Sequence, residues 1–133
     1  MEWHEAMYFD SHAHLDMPAF DPDREAVFAR AEAAGVTHFV VPAYSLEASA
    51  RAIALAEARA RVWASVGIHP HAAGGYTPEA LSTLEALARH PRVVAIGETG
   101  LDFSRNRAPR QAQEVALRAQ VALARRLRLP LII

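Results

Sequence analysis

Short apolar runs alternate with amphipathic stretches along this chain, and that alternation limits its fold more than any single residue does. Met7-Tyr8-Phe9, Val36–Val41, Val62–Val66 and Arg92–Gly97 read as strands one to four, and Leu129–Ile133 begins a fifth. Helices are read between them over about 23–34, about 46–60, from Thr77-Pro78-Glu79 to near His90-Pro91, and over about 109–127. Asp21-Pro22 caps the first helix and Gly35 ends it; Ser45 caps the second; Thr77 with Pro78 at the first helical position opens the third. Gly74-Gly75 reads as a loop. Strands alternating with helices point to repeated β-α units and a parallel sheet, an α/β fold. The near-continuous apolar strands suit a sheet covered on both faces. Two architectures satisfy this pattern: a five-stranded doubly wound sheet, and part of a larger closed barrel.

At 133 residues the chain is expected to form one domain with a real core. An apolar content of 52% excludes disorder. The net charge of −1 argues against a protein that coats nucleic acid, but not against an enzyme that grips a few phosphates. All basic residues are Arg, which reads as codon habit. With no cysteine there is neither a disulfide framework nor a thiolate metal site. No apolar run is long enough to span a bilayer. The first residues, Met1 to Glu5, lack the basic and apolar regions of a signal peptide, so a cytoplasmic location is expected.

Three groups of chemistry-bearing residues follow strands one, three and four. In parallel α/β proteins that carboxyl edge is where ligands bind. Asp10-Ser11-His12-Ala13-His14 follows the first strand. Residues two apart on a strand project the same way, so His12 and His14 would present two imidazoles to one cation. Two surface histidines in a loop are the plain alternative. His69 and His71 follow strand three around Pro70, and His71 also reads as a solvated loop residue. Glu98 follows strand four behind Gly97, with helix capping or pairing with Arg105 as its alternatives. Together on one edge these residues favour a divalent-metal site.

Three stretches resemble the N-terminal signatures of the TatD-type metal-dependent deoxyribonucleases, in the right order: Phe9–Asp16, Val66–His71 and Ile96–Phe103. Leu117-x-x-Gln120 followed by Leu127–Ile133 resembles the run before the family's next signature. Thr99 stands where an apolar residue is common, and Leu117 replaces a usual aromatic. The resemblance implies a metal-dependent TIM-barrel hydrolase that cleaves phosphodiester bonds of DNA. It implies two divalent ions per complete site, with Mg, Mn or Zn all open. By that similarity His12 and His14 bind the first metal and Glu98 bridges both. His69 lies near the substrate phosphate, and Arg105 meets a phosphate or is a solvated loop residue. Asp10 is either a group behind the ligands or a structural hydrogen-bond partner at the strand end. Asp102 either supports the site or orders its loop.

The same resemblance implies that more follows. The family's fifth strand leads into a His-x-Arg ligand motif, then a later histidine and the aspartate expected as general base. A closed barrel has eight strands in about 250 residues. Residues 1–133 are therefore expected to be the N-terminal part of a barrel, a half-barrel of about five strands and four helices with no general base of its own. Metal binding is expected to be weak or absent, and the exposed strand edges are expected to drive homo-oligomerisation. A non-catalytic, self-associating half-barrel is the second reading. Another amidohydrolase-like enzyme acting on amides or lactones is the third.

Overall fold

A computed structural model describes residues 7–133. The N-terminal residues, read above as no signal sequence, lie outside them. Four parallel strands pair in sequence order: β1 (Tyr8–Asp10), β2 (Val36–Val41), β3 (Val62–Val66) and β4 (Val93–Ile96). They are joined by α1 (Arg24–Ala33), α2 (Leu46–Ala58) and α3 (Pro78–Ala88), and α4 (Arg110–Leu127) follows β4. Short 3-10 turns occur at Pro18–Phe20 and Pro70–Gly75, and the second contains the expected Gly74-Gly75 loop. A doubly wound sheet reverses its strand order and takes helices on both faces. Here the order never reverses, and residues of all four helices share one core with one face of the sheet. The architecture is that of part of a (β/α)8 barrel.

Every second strand residue builds the core: Phe39 and Val41 from β2, then Val62, Ala64 and Val66 from β3. Small residues of α2 (Ala48, Ala52, Ala56) let that helix lie close against the sheet. Phe28 of α1 is fully buried and meets Phe39 edge to face at 5.1 Å. Burying such a side chain contributes roughly 1.5–3 kcal/mol. The guanidinium of Arg59 lies 3.8 Å from the centre of the Phe28 ring, closing the core beneath α1.

The opposite face departs from expectation. Among the described residues it is not covered by a second helical layer. Phe9, His38 and Trp63 stack across three strands there, with centroids 5.6 Å and 5.8 Å apart along the row. Phe9 keeps 56% of its surface exposed. The fifth strand is also reduced, because Pro130 has no N–H to give to a ladder. Leu131 makes one parallel bridge to Ile96, supported by Ile96 N–H to Pro130 O and Ile132 N–H to Ile96 O, each 2.9 Å. No helix of the described residues is long and apolar enough to cross a membrane.

Candidate metal centre

The strands deliver their chemistry to one edge, but not by strand geometry alone. β1 stops at Asp10, so alternation along a strand does not align the two histidines. They sit in the irregular segment beyond it, where the Asp10 carboxylate accepts the N–H of His12 at 3.0 Å. The N–H of Ala13, between them, donates to Val40 O at 3.0 Å. Asp10 is thus the structural hydrogen-bond partner of the first histidine. With the backbone held on both sides, the two rings lie 5.0 Å apart, edge to face.

Glu98 arrives from β4 through a tightly held corner. Gly97 N–H donates to Val66 O at 2.8 Å, Glu98 N–H to Ala43 O at 2.6 Å and Thr99 N–H to Ile132 O at 3.1 Å. The hydroxyl of Ser65 donates to Gly97 O at 2.6 Å. Gly97 has φ +146°, and a Cβ there would overlap the carbonyl oxygen of Ile132. Only glycine combines that backbone with that approach. The carboxylate is thereby aimed at the histidines: Oε1 lies 3.2 Å from His12 Nε2, and Oε2 lies 3.3 Å from His14 Nε2. The alternative of a Glu98–Arg105 pair is not what forms.

One ligand atom each from His12, His14 and Glu98 lies within 4.8 Å of the others. Two imidazoles and a carboxylate on a rigid frame are a donor set that suits a divalent transition ion or Mg. No Arg side chain pairs with Glu98 among the described residues; its two carboxylate oxygens face the two imidazoles. Behind the set, His14 Nδ1 is buried without a hydrogen-bond partner. Asp16 is buried too. Its desolvation raises the carboxyl pKa above the ordinary value, and Arg51, with Nε 3.5 Å from Oδ2, offsets only part of this.

Beside the three ligand candidates is an open cleft of about 590 Å³, lined by His14, Glu98, His69, His71, Arg105 and Arg107, with Tyr44 at its wall. Both residues expected at a substrate phosphate, His69 and Arg105, are therefore on this cleft with two of the ligand candidates. His71 is not a free loop residue: it is partly buried and its Nε2 lies 2.6 Å from Asp102 Oδ2. The other oxygen of Asp102 accepts the N–H of Arg105 at 3.0 Å. That backbone bond, and then His71, holds the Asp102 carboxyl below its ordinary pKa. Burial, with His71 close by, lowers the pKa of His69.

Tyr44 and Arg107 were not singled out in the sequence. Tyr44 follows β2 on the same carboxyl edge, and applying the edge rule to all four strands points to it. Its hydroxyl accepts from Arg51 Nη2 at 3.0 Å. Arg107 has no local signal beyond the arginine-rich loop that contains it.

Comparison with known proteins adds to this geometry. Residues 9–133 match a family model described as TatD related DNase. A protein of Enterobacter lignolyticus named 3'-5' ssDNA/RNA exonuclease TatD is 47% identical over 116 residues, which are 87% of this chain and 45% of that protein. A Bacillus subtilis protein named uncharacterized metal-dependent hydrolase YabD is 39% identical over 127 residues, 96% of this chain and 50% of its own. Among solved structures, YJJV, a TatD homolog from Escherichia coli, superposes with a TM-score of 0.84 at 38% identity, covering 93% of this chain and 49% of that one. The chain spans about half the length of the curated relatives it matches.

Proposed function

This chain belongs to the TatD-related DNase family, and from that premise we propose that it carries part of a metal-dependent phosphodiesterase centre for single-stranded nucleic acid. The observation that carries the reading is the convergence of His12, His14 and Glu98 beside a cleft that also holds His69 and Arg105. We read residues 1–133 as the N-terminal half of the barrel and assign no general base within them.

In this reading His12, His14 and Glu98 would hold a divalent cation. Such a cation, when bound, would supply Lewis acidity towards a phosphate and would make a water molecule more acidic. The protein's own groups do the positioning. Asp10 fixes the backbone of His12. Ser65, Ala43 and Val66 fix the corner that carries Glu98. His69 donates a hydrogen bond to a phosphate oxygen, and Arg105 adds a charge-assisted one. Mg, Mn and Zn all suit this mixed nitrogen and oxygen set.

The bare sheet face supports a second reading, in which the chain binds a cation and associates with a copy of itself without turning over substrate. Hydrolysis of a 5'-labelled single-stranded oligonucleotide separates the two. Shortening of the labelled strand with Mn or Mg, lost on chelation and in His12→Ala, supports the nuclease centre. No cleavage at saturating cation favours the self-associating half-barrel.

A further inference from the structure

The His69-Pro70-His71 turn determines where its imidazoles carry their protons. Nδ1 of His69 accepts the backbone N–H of His71 at 3.1 Å. A ring nitrogen that accepts carries no proton, so an uncharged His69 holds its proton on Nε2. No described residue is hydrogen-bonded to that nitrogen, and the ring lines the cleft beside Glu98. His71 has its own anchor. Asp102, as a carboxylate, only accepts, so Nε2 of His71 donates to it across 2.6 Å. Asp102 is in turn held at its backbone by Gln113, whose Oε1 accepts its N–H at 2.8 Å. Gln113 is buried and also donates to Ala108 O at 2.8 Å, which ties α4 to the loop.

We propose that the backbone N–H of His71, held in place by the Asp102 carboxylate through the His71 ring, fixes His69 in a single tautomer that presents Nε2–H to the cleft. Asp102 and His71 are positioning residues; His69 is the group that meets the ligand, as a hydrogen-bond donor to a phosphate oxygen. The identity of that acceptor rests on the nuclease reading, whereas the tautomer does not. A ring free to exchange tautomers would offer a lone pair to the phosphate for part of the time, which repels where a proton attracts. A locked Nε2–H removes that state before the ligand arrives.

The test is a long-range proton–nitrogen correlation spectrum of the chain labelled with 15N in its histidine rings, recorded with a chelator and no nucleic acid. The His69 signals are identified by their loss in His69→Gln. The expected pattern is a protonated Nε2 and an unprotonated Nδ1. Asp102→Ala is expected to lose it, the two nitrogen signals converging as the tautomers exchange. Asp102→Asn, whose amide oxygen still accepts from His71, is expected to keep it. A His69 ring protonated on Nδ1 or averaged in the unmodified chain overturns the proposal, as does an Asp102→Ala spectrum with an unchanged His69 pattern. If Asp102→Ala does not fold, the unmodified chain and Asp102→Asn decide, since both must show the locked form. Because no substrate or cation is present, a failed nuclease assay leaves this result standing, and the converse holds.

Discussion

The carboxamide of Gln120 takes both backbone groups of Ile68: its Oε1 accepts the N–H at 2.8 Å and its Nε2 donates to the carbonyl at 3.0 Å. Gln120 is fully buried in α4, and Ile68 immediately precedes His69. One side chain therefore replaces a missing strand partner and fixes the turn that carries the cleft histidines. Gln120→Leu keeps the volume but strands two buried backbone groups. We expect a loss of about 2–4 kcal/mol in unfolding free energy, read as a lower urea midpoint with an unchanged slope.

Gly67 makes a different kind of contact. A Cβ at this position would lie 2.5 Å from the carbonyl carbon of Gly97 and 2.7 Å from its Cα. Both are backbone atoms in the corner that aims Glu98, so neither can step aside cheaply. Gly67→Ala is expected to destabilise the fold by about 3 kcal/mol or more. Gly75→Ala, where a Cβ meets nothing within 4 Å, is the control and should change stability by less than about 0.5 kcal/mol. Thermal or urea unfolding of the pair distinguishes them.

Much of this frame is legible in the chain. β2 and β3 occupy the expected spans because each is a β-branched or aromatic run bounded by a turn. Ser45 and Thr77 cap their helices through side-chain oxygens, at 3.1 Å and 3.0 Å. Asp21 does not cap α1, because its carboxylate pairs with Arg24 at 2.6 Å and the helix opens at Asp23 without a side-chain cap. α2 ends at Ala58, short of Ala60, where Arg59 turns extended and its guanidinium reaches the Phe28 ring. Only the second of these misses has a distant cause: Arg59 is drawn to the Phe28 ring, whereas Asp21 is taken by a neighbour within the same turn of chain. The Glu98 corner is legible because Gly97 and Glu98 are adjacent and their position after an apolar strand is local. The His71–Asp102 pair is not, because its partners stand 31 positions apart.

The Asp102 carboxyl gives a pH signature. Its folded pKa is depressed from 3.8 by the Arg105 N–H and then by His71. A depressed acid contributes stability that is present above its unfolded value and lost as pH falls through the folded one. Stability should therefore decline below about pH 4, and Asp102→Asn should flatten part of that slope. Urea midpoints collected from about pH 5 to pH 2 check the sign.

The outer edge of β1 has no strand partner among the described residues, and Tyr8 and Phe9 are 58% and 56% exposed there. Unpaired backbone beside exposed aromatics is a template for another strand. We expect light scattering to show a dimer or larger species at micromolar concentration, and Tyr8→Lys to shift it towards monomer. A monodisperse monomer at all concentrations contradicts this.

Calorimetric titration of the chelator-treated chain with Mn or Zn tests the central claim, that His12, His14 and Glu98 form one cation site. The account predicts weak but saturable binding, reduced at least about tenfold by His12→Ala, by His14→Ala and by Glu98→Ala in chains that retain their fold. Equal affinity in the unmodified chain and in Glu98→Ala would contradict it.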